Sequence, residues 1–511
     1  MRGSSCRFSV VRFVVLASLC MGLGVYSTAQ QSTELHLTIL HTNDTHGHLL
    51  PFSYPDVVDP GSEIAMLPIH RDIGGAARRA TLVKKIRAEK DHQTLLIDAG
   101  DICDGTPFST EYHGDADVAA MNAIGYDIAC PGNHEYNNSI AQIKKLAGEA
   151  RFALISANST YKSDGKSPYT PYIIRNVEGV RIAFFGLLTY EARTYPGARE
   201  GIQVEQPIEA ACKLVPELKK ISDLVVAVTH IGVDEDIKLA AEVPGIDIIV
   251  GGHSHTLLPH PVIVPHPLDR SPFSIHGTLI VQDFQWGSSV GRLDLIIHHV
   301  AGSRASVERY SGSLLPVTSA QRDDPTVATL IDRYWKPIAS KYGRIVGEAA
   351  ADFAEKGQDL AEYNLVADAV RDQLGVEFEM ENPGGVRSML IHGPITYGDM
   401  VTLDPFGNTV VTFHATGKQI KAMLLTSRPA VSGIQYTIDH GVLKRATIAG
   451  NDIEDSRTYV GATNSYLAQT LLKDIKDKSD TGKMRLDTVL VYLQNHRPVK
   501  PAYDGRRIIV E

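Results

Sequence analysis

The sequence of 511 residues has few cysteines, no excess of positive charge and little long apolar sequence. It contains five cysteines, of which only Cys103, Cys130 and Cys212 lie beyond the first thirty residues. Three cysteines form at most one internal disulfide, which excludes a disulfide-stapled scaffold. The formal net charge is −9 and there are no basic runs. The chain therefore lacks the cationic face by which proteins hold nucleic acid, and we expect no nucleic-acid partner.

One apolar stretch stands out, at the start of the chain. Three arginines within the first twelve residues precede an uncharged run from Phe13 to Tyr26, and small residues follow at 27–29. This run is too short for a transmembrane helix, which needs about 20 apolar residues, but it fits a secretory signal peptide. We predict a signal peptide over residues 1–30 and a periplasmic or secreted protein with no membrane span after cleavage. An uncleaved anchor is the alternative.

Hydrophobic patterning divides the remaining chain into two regions of mixed α/β character. Over residues 35–320, short apolar runs such as Leu35–Leu40 alternate with amphipathic stretches such as Ile208–Ile221, a pattern typical of α/β layers. The strand pattern stops near residues 301–304. Asp324 followed by Pro325 marks a helix start, so we predict one connecting helix over 324–342. Residues 343–511 mix helical and strand patterns and are predicted to form a separate α+β domain.

Five segments place metal-ligating side chains directly after apolar runs. They are 41–46 (His-Thr-Asn-Asp-Thr-His), 98–101 (Asp-Ala-Gly-Asp), 132–135 (Gly-Asn-His-Glu), His230 and 252–255 (Gly-His-Ser-His). Because the carboxyl ends of parallel strands meet at one edge of a sheet, these segments can converge in one cleft. Carboxylate, imidazole and amide ligands without thiolate suit borderline-hard divalent ions. A pair of such ions polarises a phosphoryl group and supplies hydroxide at neutral pH.

The order of these motifs resembles that of the calcineurin-like metallophosphoesterases. The flanking stretches 40–47, 74–78 and 98–101 are similar to the secreted 5′-nucleotidase family, which includes nucleotide-sugar hydrolases and 2′,3′-cyclic nucleotide phosphodiesterases. The second region resembles the same family at 382–387 (Asn-Pro-Gly-Gly-Val-Arg), 393–397 (Gly-Pro-Ile-Thr-Tyr) and 405–409 (Pro-Phe-Gly-Asn-Thr). The resemblance implies a four-layer α/β metallophosphoesterase domain followed by an α+β substrate-binding domain.

The resemblance also implies roles for individual residues. It implies two divalent metal ions, one held by Asp44, His46, Asp101 and His255 and the other by Asp101, Asn133, His230 and His253. It implies that His134 is catalytic and stabilises the phosphoryl charge or protonates the leaving oxygen. Six positions match substrate-contacting residues of the family: Asn382, Gly385, Arg387, Phe406, Asn408 and Tyr466. Of these, Phe406 and Tyr466 match two aromatic rings that sandwich a base. The ions could be Zn, Mn, Co, Fe or Mg.

Three positions depart from the family pattern. Asn137 stands where the family usually has an aspartate that orients the catalytic histidine. We expect its amide oxygen to accept the imidazole N–H without adding charge, which weakens catalysis. Gln358 stands where an arginine usually contacts the substrate, and residues 469–472 (Gln-Thr-Leu-Leu) replace the usual Gly-Gly-Asp-Gly after Tyr466. The arginine can bind the substrate with two hydrogen bonds, and the aspartate of the glycine-rich run accepts hydrogen bonds from ribose hydroxyls. Losing both should weaken the selectivity for nucleotides.

Three functions follow as hypotheses. The first is an exported dinuclear phosphoesterase that hydrolyses nucleotides by attack of a metal-activated water on phosphorus. The second keeps the metal chemistry but changes the ester to a 2′,3′-cyclic nucleotide, a nucleotide sugar, a non-nucleotide phosphate or a sulfur ester. The third is a protein that retains metal and binds its ligand with little turnover, which the presence of Asn137 suggests.

Overall fold

The computed structural model describes residues 32–56, 59–89, 93–266, 274–300 and 302–510. The predicted signal peptide, residues 1–30, lies outside these ranges. Within them, no helix combines the length and the apolar character that crossing a bilayer requires.

Strands and helices alternate along the first region, as its hydrophobic pattern predicts. The strands are β1 (Ser32–Thr42), β2 (Pro51–Phe52), β3 (Ile73–Gly74), β4 (Gln93–Asp98), β5 (Ile128–Ala129), β6 (Ala153–Leu154), β7 (Ser159–Tyr161), β8 (Tyr172–Val177), β9 (Val180–Leu188), β10 (Ile202–Val204), β11 (Leu224–His230), β12 (Ile248–Val250), β13 (Val262–Pro265), β14 (Gly277–Val281), β15 (Ser289–Val300) and β16 (Ser306–Pro316). The helices are α1 (Ala76–Glu89), α2 (Pro107–Tyr112), α3 (Asp115–Ile124), α4 (Ile140–Glu149), α5 (Pro196–Gly201), α6 (Pro207–Ile221) and α7 (Val233–Glu242), with short 3-10 helices at Glu63–Met66, His134–Asn137 and Tyr190–Thr194.

Two mixed sheets face each other and enclose the main core of this region. Their strand orders are β16-β15-β1-β4-β5-β6 and β13-β14-β12-β11-β9-β8. Leu37 and Ile97 of the first sheet belong to the same buried cluster as Phe184 and Val226 of the second. Helices α1 and α3 cover the outer face of the first sheet, and α6 and α7 cover that of the second. The result is the four-layer α/β arrangement that the resemblance implies.

The central strands of both sheets run parallel, which directs their carboxyl ends to one edge. In the first sheet β1 pairs with β4 in parallel, and in the second β11 pairs in parallel with β9 and β12. The loops that follow β1, β4, β11 and β12 therefore emerge on the same side of the molecule.

Two boundaries differ from the sequence prediction. The strand pattern continues past the polar residues near 301–304, because β15 pairs with β16 in an antiparallel hairpin that reaches Pro316. The connecting segment forms two helices, α8 (Pro325–Trp335) and α9 (Ala339–Tyr342), instead of one. Pro337 explains the break, since proline has no backbone N–H and its ring clashes with the carbonyl one turn earlier in a helix. The predicted start is correct, with the Asp324 side chain capping α8.

The second region is α+β, as predicted. Its strands are β17 (Ile345–Ala349), β18 (Glu355–Lys356), β19 (Asp359–Leu360), β20 (Phe378–Glu381), β21 (Gly393–Thr396), β22 (Thr409–Thr416), β23 (Ala430–Ser432), β24 (Ile434–Asp439), β25 (Val442–Ile448), β26 (Asn451–Asp452), β27 (Thr458–Asn464), β28 (Lys478–Met484) and β29 (Arg507–Val510). Its helices are α10 (Ala361–Leu374), α11 (Tyr397–Leu403), α12 (Gly417–Ser427), α13 (Ser465–Leu471) and α14 (Arg485–Asn495). The larger sheets have the orders β23-β20-β27-β22-β28 and β26-β25-β24-β29.

A buried arginine organises the centre of this second region. The Arg485 side chain is fully buried and donates two hydrogen bonds to the Asp404 carboxylate, at 2.8 and 2.6 Å. It also donates to Glu381 at 2.5 Å and to the backbone carbonyl of Gly385 at 2.7 Å. Buried charges are tolerated when they are paired and hydrogen-bonded in this way. Through Gly385, this network fixes the loop that follows β20.

Candidate metal centre

The predicted metal ligands lie where strands end at the shared edge of the two sheets. They are Asp44 and His46 after β1, Asp101 after β4, Asn133 after β5, His230 at the end of β11, and His253 and His255 after β12. Five of them, Asp44, His46, Asp101, His253 and His255, have positive φ angles between 45° and 80°. A left-handed backbone is uncommon for residues other than glycine, and such residues cluster at functional sites. The surrounding fold therefore holds these side chains in conformations that they would rarely adopt alone.

Asp44, His46 and His255 form one group of ligand atoms. Asp44 Oδ1 lies 3.9 Å from His46 Nε2 and 3.2 Å from His255 Nε2, and the two imidazole nitrogens are 3.2 Å apart. The three ligand atoms all lie within 4.8 Å of one another. Asp101 Oδ2 borders this group, at 3.7 Å from His46 Nε2.

Asp101, His230 and His253 form a second group of the same size. Asp101 Oδ2 lies 3.0 Å from His230 Nε2. Asn133 Oδ1 lies 3.2 Å from the same nitrogen. The structure therefore brings all seven predicted ligands together, and the Asp101 carboxylate belongs to the second group while it also borders the first.

The rings of His46, His230 and His255 present Nε2 to this centre because Nδ1 is already hydrogen-bonded elsewhere. The acceptors are Asp104 O for His46 at 2.8 Å, Ala99 O for His230 at 2.7 Å and Gln285 Oε1 for His255 at 2.5 Å. A proton on Nδ1 leaves the lone pair on Nε2, which is the form in which imidazole binds a metal. The donors are oxygen and nitrogen atoms without thiolate, so the residues present fit the divalent ions that the resemblance implies.

Electrostatics at the centre favour a cation. Burial lowers the pKa of His230, but Asp101 and Asp44 outweigh that effect and raise the pKa to about 10. The negative potential of these two carboxylates, which stabilises a proton on His230, also favours a divalent cation at the same position. At His253, burial and the neighbouring His230 lower the pKa to about 4, so this ring is neutral at pH 7 and its nitrogen is available as a ligand.

Glu135 ties together the loops that carry Asp101 and Asn133. Its buried carboxylate accepts backbone N–H groups from Asp101 at 3.1 Å, Ile102 at 3.0 Å, Cys103 at 3.2 Å and Gly132 at 2.6 Å. The sequence motif contains Glu135, but nothing in a sequence distinguishes a carboxylate that binds backbone from one that binds metal.

His134 faces the same centre, and its hydrogen bonding corrects the expectation for Asn137. His134 Nε2 lies 3.9 Å from Asp101 Oδ2, and its Nδ1 lies 2.7 Å from Asp104 Oδ2. Asn137 donates its amide N–H to the same Asp104 carboxylate, since a carboxylate can only accept. The expectation that the Asn137 oxygen accepts the imidazole N–H is therefore wrong. Asp104, to which the sequence prediction assigned no role, accepts it instead.

Two of the predicted substrate residues reach this centre from the second region. Arg387 Nη2 lies 3.2 Å from His46 Nε2. The Phe406 ring lies 6.1 Å from the His134 ring, measured between centroids, and the two planes are inclined by 29°. The Arg387 guanidinium and the Phe406 ring of the second region thus lie beside the candidate metal centre.

The other four predicted substrate residues lie on neighbouring loops of the second region. Asn382 Oδ1 accepts from Asn464 Nδ2 at 2.8 Å, and Asn408 Oδ1 accepts from Ser465 Oγ at 3.1 Å. Gly385 is held through its carbonyl, as described above. Tyr466 is 59% exposed near the start of α13, so its ring is open to a ligand.

The remaining departures from the family pattern also have structural explanations. Both polar atoms of the Gln358 side chain bind the backbone of Ile509, with Oε1 accepting from the N–H at 2.5 Å and Nε2 donating to the carbonyl. Gln358 therefore holds strand β29. Where the family has a glycine-rich run, this chain continues as α13, and Leu472 is fully buried in an apolar cluster.

Family profiles and solved structures match this architecture. The profile of the calcineurin-like phosphoesterases matches residues 37–257, and that of the 5′-nucleotidase C-terminal domain matches residues 343–471. The chain therefore combines a calcineurin-like phosphoesterase domain with a 5′-nucleotidase C-terminal domain. The crystal structure of a 5′-nucleotidase precursor from Thermus thermophilus superimposes with a TM-score of 0.82 at 28% identity, covering 93% of this chain and 99% of that one.

Two curated relatives extend the comparison. The 5′-nucleotidase of Vibrio cholerae serotype O1 is 29% identical, over 96% of each chain. The trifunctional nucleotide phosphoesterase protein YfkN of Bacillus subtilis strain 168 is also 29% identical, over 84% of this chain and 32% of YfkN, so this chain spans about a third of that relative. The 5′-nucleotidase family consists of metal-dependent phosphoester hydrolases, and this protein is an enzyme of that class.

Proposed function

We propose that this protein is an exported phosphoesterase that uses two divalent metal ions to hydrolyse nucleotides. The observation that carries the proposal is the position of Asp101, whose carboxylate belongs to one group of candidate ligands and lies 3.7 Å from His46 of the other. His134 and Arg387 face the same centre. The proposal assigns the metal centre to a domain over residues 35–320. The α8–α9 segment within 324–342 connects it to a substrate-binding domain over 343–511.

The ligand geometry supports two ions. One would be held by Asp44, His46, Asp101 and His255, and the other by Asp101, Asn133, His230 and His253. Two ions about 3.5–4 Å apart, when bound, activate water as a nucleophile and neutralise charge on a phosphoryl group. The two groups of ligand atoms described above offer the donor types that divalent ions take, which supports the proposal.

The remaining residues would bind and orient the substrate. His134 is held through Nδ1 and presents Nε2. In the imidazolium form of the ring, Nε2 can donate a hydrogen bond to a phosphoryl or leaving-group oxygen. The Arg387 guanidinium supplies a charged donor beside the centre, suited to an anionic phosphate. Phe406 offers a ring face near His134, and Tyr466 offers an exposed ring. Aromatic stacking typically contributes about 1–3 kcal/mol per base.

A second candidate substrate is a phosphate ester whose leaving group is not a ribonucleoside. This reading is favoured by residues 469–472, which contain no carboxylate that could bind ribose hydroxyls, and by Gln358, which is bound to Ile509. The names of the relatives, a 5′-nucleotidase and a nucleotide phosphoesterase, favour nucleotides. The reading as a protein with little turnover loses its support, because Asp104 supplies the carboxylate that Asn137 lacks.

A substrate panel tests the proposal. Protein stripped of metal and reloaded with Mn or Zn is assayed on AMP, UMP, ATP, UDP-glucose, 2′,3′-cyclic AMP and bis-p-nitrophenyl phosphate. We expect metal-dependent phosphate release from AMP or ATP, lost in Asp101→Asn but retained in Asp474→Asn, a matched change at an exposed aspartate. Hydrolysis of the nitrophenyl diester alone would support the second candidate. No turnover of any ester by metal-loaded protein would refute both.

A further inference from the structure

Asp104 connects two histidines of the centre through different parts of one residue. Its backbone carbonyl accepts from His46 Nδ1 at 2.8 Å, and its carboxylate Oδ2 lies 2.7 Å from His134 Nδ1. Asp104 has a φ angle of 72°, in the left-handed region, and its backbone N–H donates to Ser109 Oγ at 2.7 Å. The main chain thus orients a candidate metal ligand, while the side chain orients the candidate catalytic residue.

Asn137 completes the arrangement from the turn that carries His134. Its amide donates to Asp104 Oδ2, the oxygen that also faces the imidazole. Its Nδ2 lies 3.3 Å from His134 Nδ1, but both of these nitrogens are donors when Nδ1 carries a proton, so the carboxylate between them is their common acceptor. One carboxylate and one amide are therefore both close to the ring, and they are also hydrogen-bonded to each other.

We propose that Asp104 is the positioning residue for His134, and that Asn137 serves to hold the Asp104 carboxylate in place. The carboxylate fixes the proton on Nδ1 and the plane of the ring, so that Nε2 faces the phosphoryl group. In this chain the carboxylate beside the ring therefore comes from position 104, while position 137, where the family usually has an aspartate, supplies an amide. This inference rests on the proposed phosphoesterase function.

The structure indicates that the carboxylate and the amide can be swapped between positions 104 and 137. Asparagine tolerates a left-handed backbone at least as well as aspartate does, so Asp104→Asn should keep the loop. The bond to His46 comes from the Asp104 backbone and does not depend on the side chain. An aspartate at 137 would replace an amide that already lies within 3.3 Å of Nδ1. The double variant Asp104→Asn/Asn137→Asp therefore restores one carboxylate and one amide around the ring.

The test compares the wild type, both single variants and the double variant, each loaded with Zn, on the best substrate of the panel. We expect Asp104→Asn to lower kcat by about 10–100-fold, the usual cost of losing a residue that orients a catalytic or ligating group. KM and the bound Zn per chain should stay unchanged. The double variant should recover to within about threefold of the wild type. Asn137→Asp should give no gain, because it places two carboxylates against each other.

A second readout does not depend on turnover. In Zn-loaded protein labelled with 15N-histidine, NMR should show a proton on His134 Nδ1 in the wild type and in the double variant. That signal should weaken or exchange rapidly in Asp104→Asn. Thermal unfolding of each variant, followed by circular dichroism, establishes that the variant is folded.

The outcomes separate this inference from the function on which it rests. If the wild type turns over and Asp104→Asn matches it in kcat and in the NMR signal, Asp104 does not position His134. If the double variant stays as slow as Asp104→Asn, a carboxylate at position 137 cannot replace that of Asp104, and the proposed pairing of the two residues is wrong. If no variant, including the wild type, hydrolyses any ester, the proposed function fails, and the NMR comparison still decides whether Asp104 fixes the ring.

Discussion

Arg387 on the second region and His46 on the first meet directly, with Arg387 Nη2 at 3.2 Å from His46 Nε2. A cation from the region proposed to bind substrate therefore touches a residue of the candidate metal centre. The same guanidinium lies 6.0 Å from the centroid of the Phe406 ring. The two halves of the chain thus combine to form one site, in which an anion bound at the candidate metal ligands would also face Arg387.

Replacing Arg387 should lower kcat/KM for phosphate esters without lowering the metal content of the protein. Because a hydrogen bond to a charged group contributes about 1.5–3 kcal/mol, Arg387→Met should lower kcat/KM by about 10–100-fold. Lysine keeps the charge but not the planar fork of the guanidinium. The kcat/KM of Arg387→Lys should therefore lie between the values of the wild type and of Arg387→Met. Steady-state kinetics with metal analysis of each variant checks this, with the exposed Arg445→Met as the matched control. Equal kcat/KM for wild type and Arg387→Met would contradict the assignment.

The aromatic pair predicts a difference between substrates. Phe406→Ala and Tyr466→Ala should each raise KM for AMP by about 5–100-fold, because a stacked base contributes about 1–3 kcal/mol. The KM for bis-p-nitrophenyl phosphate should change much less in Tyr466→Ala, whose ring is 59% exposed. If KM for AMP is unaffected in both variants, the bases are not held by these rings, and the non-nucleoside ester becomes the better candidate.

Gln358 should prove to be a structural residue. Gln358→Ala removes both hydrogen bonds to Ile509 and should reduce the free energy of unfolding by about 1–2 kcal/mol, since each bond contributes about 1 kcal/mol. The KM for AMP should stay the same. Urea denaturation and steady-state kinetics of the same preparation measure both effects. A rise in KM at unchanged stability would place Gln358 in the substrate pocket after all.

The buried acidic pair beside Arg485 predicts a pH effect on stability. Burial, followed by the adjacent Glu381, raises the pKa of Glu379 well above its ordinary value. The folded state therefore binds this proton more firmly than the unfolded state, and stability falls as pH rises from the ordinary glutamate pKa toward the raised one. Glu379→Gln removes that dependence.

The stability advantage of Glu379→Gln over the wild type should therefore grow between pH 5 and pH 7. The advantage can grow by at most about 1.4 kcal/mol per pH unit, the largest slope that one titrating group gives. Urea denaturation at the two pH values measures it, with the exposed Glu242→Gln as control. An advantage that is constant across this range would show that Glu379 is ionised in the folded protein.

The convergence of the candidate metal ligands could be predicted from sequence because their position follows from the fold class. Asp44, Asp101 and His230 each stand at the end of an apolar run, and parallel strands bring such ends together. The partners that orient these ligands could not be found in this way. Gln285 and Asp104 reach His255 and His134 only through the particular turns of their loops, and their neighbours in sequence do not reveal those contacts.

Two errors in the fold prediction have identifiable causes. Strand β16 lies at the edge of its sheet and exposes alternate side chains, so its polarity resembled a loop. The helix break at Pro337 was visible in the sequence, but the prediction of one helix was based on the start signal of Asp324 and Pro325 and did not consider it. Arg485 illustrates a third kind of limit, because its complete burial depends on Asp404 and Glu381, which lie 81 and 104 positions away.

The central claim is that Asp101 joins two metal ions in one phosphoesterase centre. Titrating metal-free protein with Zn while following both bound ions per chain and phosphate release from AMP tests this claim most directly. We predict that two ions bind per chain, that turnover rises as the second one binds, and that Asp101→Asn loses both properties. Turnover that persists in chelator-treated protein, or full activity of Asp101→Asn with a single ion, would contradict the account.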